Sequence, residues 1–378
     1  MNKKFLVFFV CAILTLSCFS IVACNKDSGA TDIIAVVTDA GELFDNGFNE
    51  GAYIAVKNFA DTNGKVVKYY QPDQSNGVSD EDRVVAMRKA ITDGAKIIVA
   101  PGALQATALK IIALENPDIK FIFVDGTILL NDNQPLTNVT AITFREQESG
   151  FLAGYASVKE GYTQLGGTFG GGGINAACNR FAYGYVQGAI AAAENKQINV
   201  KISYKYGEYF SESEELTSQI SEWYTNGTKV VFSCGGAMFL SVKAAAETSN
   251  RGLIIGVDVD QSPLSSRVIT SAIKNVQAAV STTLSEIFYG EWDSRLAGKE
   301  QSFGIAQDAI YLPTEEDSWK FKTFSLEDYF EIYNTIKTGA LDIVTEVQDD
   351  CNNAAWWQEK ASELNEKYGT FVSVSLEN

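Results

Sequence analysis

The sequence predicts an α/β protein made of two similar halves, each a parallel sheet flanked by helices. Short apolar runs alternate with amphipathic stretches of helical length along most of the chain, the pattern of βαβ units. The cadence starts again after a helix expected near 147–160. Two segments, DGAKIIVAPGALQATALKIIALENPDIKFIFVD (93–125) and NGTKVVFSCGGAMFLSVKAAAETSNRGLIIGVD (226–258), align without a gap at an offset of 133. Asp93-Gly94 meets Asn226-Gly227, Lys96 meets Lys229, Gly102 meets Gly235, Lys110 meets Lys243 and Asp125 meets Asp258. Any two βαβ units share some likeness, but landmarks kept in register throughout favour two halves of one architecture.

In chain order, DIIAVVT (32–38) is the first buried strand, followed by a loop and a helix starting near Asn49. KVVKYYQ (65–71), AKIIVA (95–100), IKFIFVD (119–125) and VTAITF (139–144) complete the first set. The second set is QLGGTFG (164–170), INVKISYKY (198–206), TKVVFS (228–233) and GLIIGVD (252–258). Residues 314–333 read as surface loop and helix, and about 351–368 as a helix whose Trp356-Trp357 pair packs on the body. The run GGTFGGGG (166–173) lacks the spacing and the GK[ST] ending of a phosphate loop. It suits a strand-to-helix loop beside a cleft.

The N-terminus is read separately from the fold. Lys3 and Lys4 precede an apolar stretch from Phe5 to about Phe19, and Ile21-Val22-Ala23-Cys24 has the form of a bacterial lipobox. The competing readings are an ordinary secretory signal or a membrane anchor, although the apolar run is short for a span. On the lipobox reading, residues 1–23 are a signal peptide, Cys24 carries lipid, and 24–32 form a flexible tether.

Composition narrows the function. Without residues 1–23, which hold two lysines and no acid, 28 Lys and Arg face 47 Asp and Glu, a balance of −19. Such a chain is a poor partner for nucleic acid or phosphate. The absence of histidine removes Ser-His-Asp and Cys-His catalysis and His-ligated metals. Cys178, Cys234 and Cys351 are spaced too widely for a metal knuckle or a disulfide framework, and read as buried small apolar residues. About 350 mature residues suggest two domains.

Ligands on open α/β sheets sit at the carboxyl ends of strands. The first strand-to-helix loop, where other folds cradle phosphate, holds Asp39, Glu42 and Asp45. If the halves face one another, Asp39 and Asp125 line a cleft from one side and Asp258 from the other. Gly102 and Gly235 would let backbone approach the ligand. Such a cleft suits a polar neutral or cationic small molecule.

The blocks VTDAGELFDNGFNEGAY (37–53), ITFREQESGFLAGYAS (142–157), FAYGYVQGA (181–189), IIGVDVDQSP (254–263) and VITSAIKNVQAAV (268–280) carry a resemblance. In this order they resemble the basic membrane protein family of ABC-transporter substrate-binding lipoproteins, of purine nucleoside receptor (PnrA-like) type. The resemblance runs from about residue 33 to beyond 340. It implies a type I periplasmic-binding-protein fold: two flavodoxin-like lobes joined by hinge crossovers, with a nucleoside held between them. The lobes would comprise 33–145 plus about 275–310, and 146–274 plus about 311–345, with 346–378 as a C-terminal helical extension.

The resemblance also assigns roles. Asn49, after Phe48, would recognise the base, although Asn is also a favoured helix N-cap. Asp125 would accept from the base; Asp beside Gly126 is also a common turn. Asp258 would bind ribose hydroxyls, with Asp260 as the alternative, and Lys274 would donate to ribose oxygens. Gly235 and Gly236 would offer backbone to the sugar. Phe210, beside Tyr209, would stack on the base. Where a relative places a second stacking Phe, this chain has Thr38, which cannot stack; Phe44 or Phe48 would have to compensate. The departure bears on ligand class more than on fold.

The expectation is therefore a membrane-tethered receptor, without catalysis, cofactor or metal, facing outside the cytoplasm. It would be monomeric and would deliver a nucleoside to a permease and its ATPase. A sugar or other small polar solute is the alternative ligand. A surface adhesion or signalling lipoprotein, or a carboxylate-based nucleoside hydrolase, are readings of other classes. The hydrolase lacks a cluster of Asp in one loop.

Overall fold

The computed structural model describes residues 33–73, 75, 78–348, 350–369 and 371–376. The signal peptide, the tether and Cys24 lie outside them. The first half runs β1 (Ile33–Val37), α1 (Phe48–Asn63), β2 (Val66–Tyr70), α2 (Asp80–Thr92), β3 (Ala95–Pro101), α3 (Ala106–Glu115) and β4 (Lys120–Val124). A short hairpin, β5 (Leu130–Asn131) and β6 (Gln134–Pro135), leads to β7 (Val139–Phe144) and α4 (Glu146–Glu160). The second half runs β8 (Gln164–Phe169), α5 (Ala176–Lys196), β9 (Asn199–Tyr206), α6 (Glu214–Thr225), β10 (Val230–Cys234), α7 (Met238–Ser249), β11 (Leu253–Asp258) and β12 (Val268–Lys274). Then follow α8 (Val276–Phe288), β13 (Glu300–Phe303), β14 (Ile310–Tyr311), α9 (Leu326–Lys337), α10 (Ala354–Tyr368) and β15 (Phe371–Leu376).

One sheet has the order β13-β7-β4-β3-β1-β2 and the other β14-β12-β11-β10-β8-β9-β15. Read from β2 and from β9, the two orders coincide, and each contains the 2-1-3-4-5 arrangement of flavodoxin-like sheets. All strand pairs in both sheets are parallel except β12 with β14. Helices cover both faces, so a strand such as β1 is apolar without alternation. Its Ile34 and Val36 enter one core while Ala35 and Val37 enter the other. In β4, Ile122 and Val124 divide from Phe121 and Phe123 in the same way.

The chain passes between the sheets three times. It leaves β7 for α4, which packs on α5, β12 and β14 of the second half. It leaves β12 for α8, which returns to pack on α1 and β4. It leaves β13, paired with β7, for β14, paired with β12. Around the first crossing, Arg145 N–H donates to the Phe303 carbonyl (2.9 Å), and Ile305 N–H donates to Glu148 Oε2 (2.6 Å).

The sequence blocks 142–157 and 181–189 owe their glycines to one contact. On α4, a Cβ at Gly150 or Gly154 would lie 2.2 or 2.1 Å from the carbonyl oxygen of Phe181 or Tyr185 on α5. On α5, Gly184 and Gly188 face the carbonyls of Gln147 and Phe151 as closely. The backbones of these helices touch, and no side chain fits between them.

The C-terminal segment, expected to be helical, also carries a strand. β15 adds to the edge of the second sheet, parallel to β9. Trp357 is buried, stacks on Tyr204 with centroids 4.6 Å apart, and donates its indole N–H to the Cys351 carbonyl (2.9 Å). Cys178, Cys234 and Cys351 are buried free thiols, as expected of small apolar residues.

The α4–α5 contact yields a test. Alanine favours a helix over glycine by about 1 kcal/mol, yet Gly154→Ala should lower stability by about 1–3 kcal/mol through overpacking. Urea unfolding of the two proteins measures the difference.

Candidate functional site

The two Asp matched at offset 133 adopt the same unusual backbone. Asp125, just past β4, and Asp258, closing β11, have φ of 60° and 66°, the left-handed region. A non-glycine residue there is disfavoured by about 1–2 kcal/mol, and persists when its surroundings over-determine it. Both carboxylates meet Lys274, the last residue of β12. Its Nζ lies 2.6 Å from Asp125 Oδ2, 3.6 Å from Asp258 Oδ1 and 3.7 Å from Glu146 Oε1. The rings of Phe48, Phe144 and Phe181 surround the same ammonium at 4.6, 5.4 and 5.8 Å.

Lys274 is 3% exposed. Burial alone would strip its proton, but Asp125, Asp258 and Glu146 together hold its pKa above the ordinary lysine range. Burial raises the carboxyl pKa of Asp125 to about 6, against the pull of Lys274 and with the push of Glu146. Asp258 is raised for the same reason, again opposed by Lys274.

The first loop, from the same half as Asp125, holds the other acidic candidates. Asp39 packs so tightly on Gly102 that a Cβ there would fall 1.8 Å from Asp39 Oδ2. Ala40 N–H donates to Asp39 Oδ1 (2.6 Å), and Arg83 Nε donates to the Asp39 carbonyl (2.9 Å). Although the residue is only partly covered, burial of its carboxyl raises the pKa to about 7. Gly47 is the N-cap residue of α1, and the carboxylate of Asp45, two residues earlier, accepts from the backbone N–H groups of Gly47, Asn49 and Glu50. Asn49 is therefore not the cap. It is the second helical residue, and its amide leans on the carbonyls of Ala40 and Glu42 at 3.5 and 3.4 Å. Thr38 is fully buried, and Phe44 is 62% exposed, edge-on to Tyr53. Of the two candidate stacking rings in this loop, Phe48 is the one against Lys274.

From the second half, Phe210 packs against Gly170 and Gly171, and its carbonyl accepts from Ala237 N–H (2.9 Å). Gly235 follows β10 beside Gly170, Gly236 lies against Phe210, and Tyr209 is exposed. The glycine loop is held by Gly172 N–H on the Gly207 carbonyl and by Cys351 N–H on the Gly173 carbonyl, both 2.8 Å. Asp260 is turned away: its carboxylate accepts from Ser262 N–H (3.0 Å) and from the hydroxyls of Ser262 and Ser318.

The structure thus gathers Asp125, Asp258, Lys274 and Phe48 and engages Asp260 elsewhere. Sequence reasoning missed Glu146, which is fully buried and accepts from Arg180 Nε at 2.6 Å. Its only signal was its place in the block REQE. Among the described residues, Asn49 Oδ1, Asp125 Oδ1, Glu146 Oε1, Asp258 Oδ1 and Thr38 Oγ1 are buried without a hydrogen-bond partner. Four of the five accept only, so the arrangement favours a molecule rich in N–H and O–H donors. No group of three or more Cys, Asp or Glu suited to a metal occurs among the described residues.

Residues 33–367 match the family model for ABC transporter substrate-binding proteins of PnrA-like type. Basic membrane protein A of Borreliella burgdorferi is 32% identical over 315 residues, covering 82% of this chain and 86% of that protein. The ABC transporter nucleoside-binding protein BmpA of Lactococcus lactis is 31% identical over 264 residues, 65% of this chain and 72% of its own length. A solute-binding protein of an ABC transporter system from Aeropyrum pernix superposes with a TM-score of 0.73 at 21% identity, over 89% of this chain and 99% of that one.

Asp39 gives a pH-dependent expectation. With a folded pKa of about 7 against 3.8 ordinarily, it keeps its proton in the folded state while the unfolded chain loses it. Its contribution to stability therefore falls as pH rises from about 4 to 7, and is flat above. Asp39→Asn removes that loss, so its melting temperature relative to the parent should rise more at pH 8 than at pH 5. Scanning calorimetry at both pH values reads the difference.

Proposed function

The chain belongs to the PnrA-like family of ABC transporter substrate-binding proteins, and from that premise we propose that it captures a purine nucleoside between its two sheets. The family binds a solute for an importer and does not transform it. The observation that carries the ligand proposal is the buried cluster of Asp125, Asp258 and Lys274, with a carboxylate oxygen from each half that lacks a hydrogen bond. A ribose diol and a base edge supply the donors those oxygens lack, and a carboxylate can accept from both members of a diol. In this reading Asp258 takes the ribose hydroxyls, Asn49 and Asp125 take the base, and Gly235 and Gly236 line the sugar. Lys274 is the donor to ribose oxygens, and Phe210 and Phe48 offer ring faces.

The same charges argue against nucleotides. A phosphate brought near Asp125 and Asp258 meets like charge that the single ammonium of Lys274 does not balance. The likeness to a nucleoside-binding protein of Lactococcus lactis supports the class. Thr38 favours a second reading, a sugar or small polar solute, because it puts a fully buried polar residue where a relative stacks a ring.

The delivery system in this reading is a permease and a cytoplasmic ATPase. No helix among the described residues is long and apolar enough to cross a membrane. The tether would be a lipid on Cys24, holding the protein outside the cytoplasm.

Thermal unfolding of residues 33–378 against adenosine, guanosine, inosine, cytidine, uridine, ribose, glucose and adenosine monophosphate tests the proposal. A nucleoside at a hundred times its Kd adds about 2.7 kcal/mol, a shift of several degrees. Purine nucleosides should raise the midpoint, the monophosphate should not, and Asp258→Ala should abolish the shift. A response to sugars alone would replace the nucleoside with the second reading.

A further inference from the structure

The block Arg145-Glu146-Gln147-Glu148 stands where all three crossings meet. Arg145 and Glu148 hold the third crossing through Phe303 and Ile305, and Glu146 faces Lys274 at the second. Glu146 is 0% exposed, and its two oxygens differ. Oε2 accepts from Arg180 at 2.6 Å. Oε1 is buried, has no hydrogen-bond partner, and sits 3.7 Å from Lys274 Nζ.

Lys274 meanwhile donates to Asp125 Oδ2 at 2.6 Å. A ligand donor on the free Asp125 Oδ1 draws on the same carboxylate charge and loosens its hold on this ammonium, and a buried charge must stay paired throughout. Asp258 is the other carboxylate in reach, but on the reading above it serves the ligand too. Resting on that reading, we infer that Glu146 is a positioning residue that receives Lys274 when a ligand engages Asp125. A shift of about 1 Å converts the 3.7 Å separation to Glu146 Oε1 into a hydrogen bond. Because Glu146 opens α4 at the first crossing and Lys274 closes β12 at the second, the transfer ties occupancy of the site to the segments that join the sheets.

Two variants separate this role from mere support. Glu146→Gln keeps the shape but presents Lys274 with an uncharged amide. Arg180→Gln removes the guanidinium that holds the other oxygen, Oε2, yet leaves the carboxylate to receive Lys274. Calorimetric titration with adenosine, guanosine and inosine should show at least tenfold weaker binding for Glu146→Gln, and binding within about threefold of the parent for Arg180→Gln. Parental affinity in Glu146→Gln, or equal losses in both variants, would overturn the inference.

A second measurement needs no ligand. If Asp125 and Glu146 are alternative stations for one ammonium, the melting-temperature loss of Asp125→Asn/Glu146→Gln should exceed the sum of the single losses; failure of the double variant alone to fold is the extreme of that result. Additive losses would sink the inference. Should the parent bind none of the three nucleosides, the ligand proposal falls, and the cycle alone decides the role of Glu146.

Discussion

The ammonium of Lys274 is almost wholly removed from water, and a charge in that position must be paired or surrender its proton. Its partners come from three places in the chain: the end of β4, the end of β11 and the start of α4. The first belongs to one sheet, the second to the other, and the third to the connection between them. Lys274 therefore requires the two halves to be assembled, and the assembled halves require Lys274 to keep three carboxylates from repelling one another. The aromatic rings around it exclude water and strengthen each of these contacts.

What brings these groups together is the crossing of the chain. α4 and α8 each leave one sheet and pack on the other half, so neither half is closed without a helix that follows the other's strands. The glycine faces of α4 and α5 let their backbones touch, which fixes where α4 begins. Its first residue is Glu146, and the same turn reaches the third crossing through Glu148 and Ile305. Helix packing and the charge cluster are thus two ends of the same short segment.

The halves are alike in strand order but differ at their edges. In the second sheet, the strand corresponding to β2 is β9, and β15 from the C-terminal segment pairs with it. That segment also reaches the site indirectly, because Cys351 N–H holds the Gly173 carbonyl in the loop against which Phe210 packs. The aromatic side of the candidate site thus rests on residues far along the chain.

Much of the fold is legible in the residues themselves. Strands buried on both faces are continuous apolar runs, so β1, β3, β4, β10 and β11 can be read locally. The offset of 133 aligns Asp125 with Asp258, and both adopt the same left-handed backbone at the ends of their strands. Strands β12 to β15 escape such a reading: β13 and β14 are two to four residues long, and edge or crossing strands carry little pattern of their own. The cap of α1 is ambiguous in sequence, because an Asn at the start of a helix and an Asp a few residues earlier look equally suitable. Only the backbone path puts Gly47 at the N-cap and turns the Asp45 carboxylate onto the N–H groups that open the helix. Glu146 is unreadable for a deeper reason. By itself the sequence determined the periodicity of burial and the repeat, because these follow from local alternation and spacing. Only the tertiary structure decided which charges share a dielectric environment, because a buried ion pair depends on groups 128 to 149 residues apart meeting through three crossings.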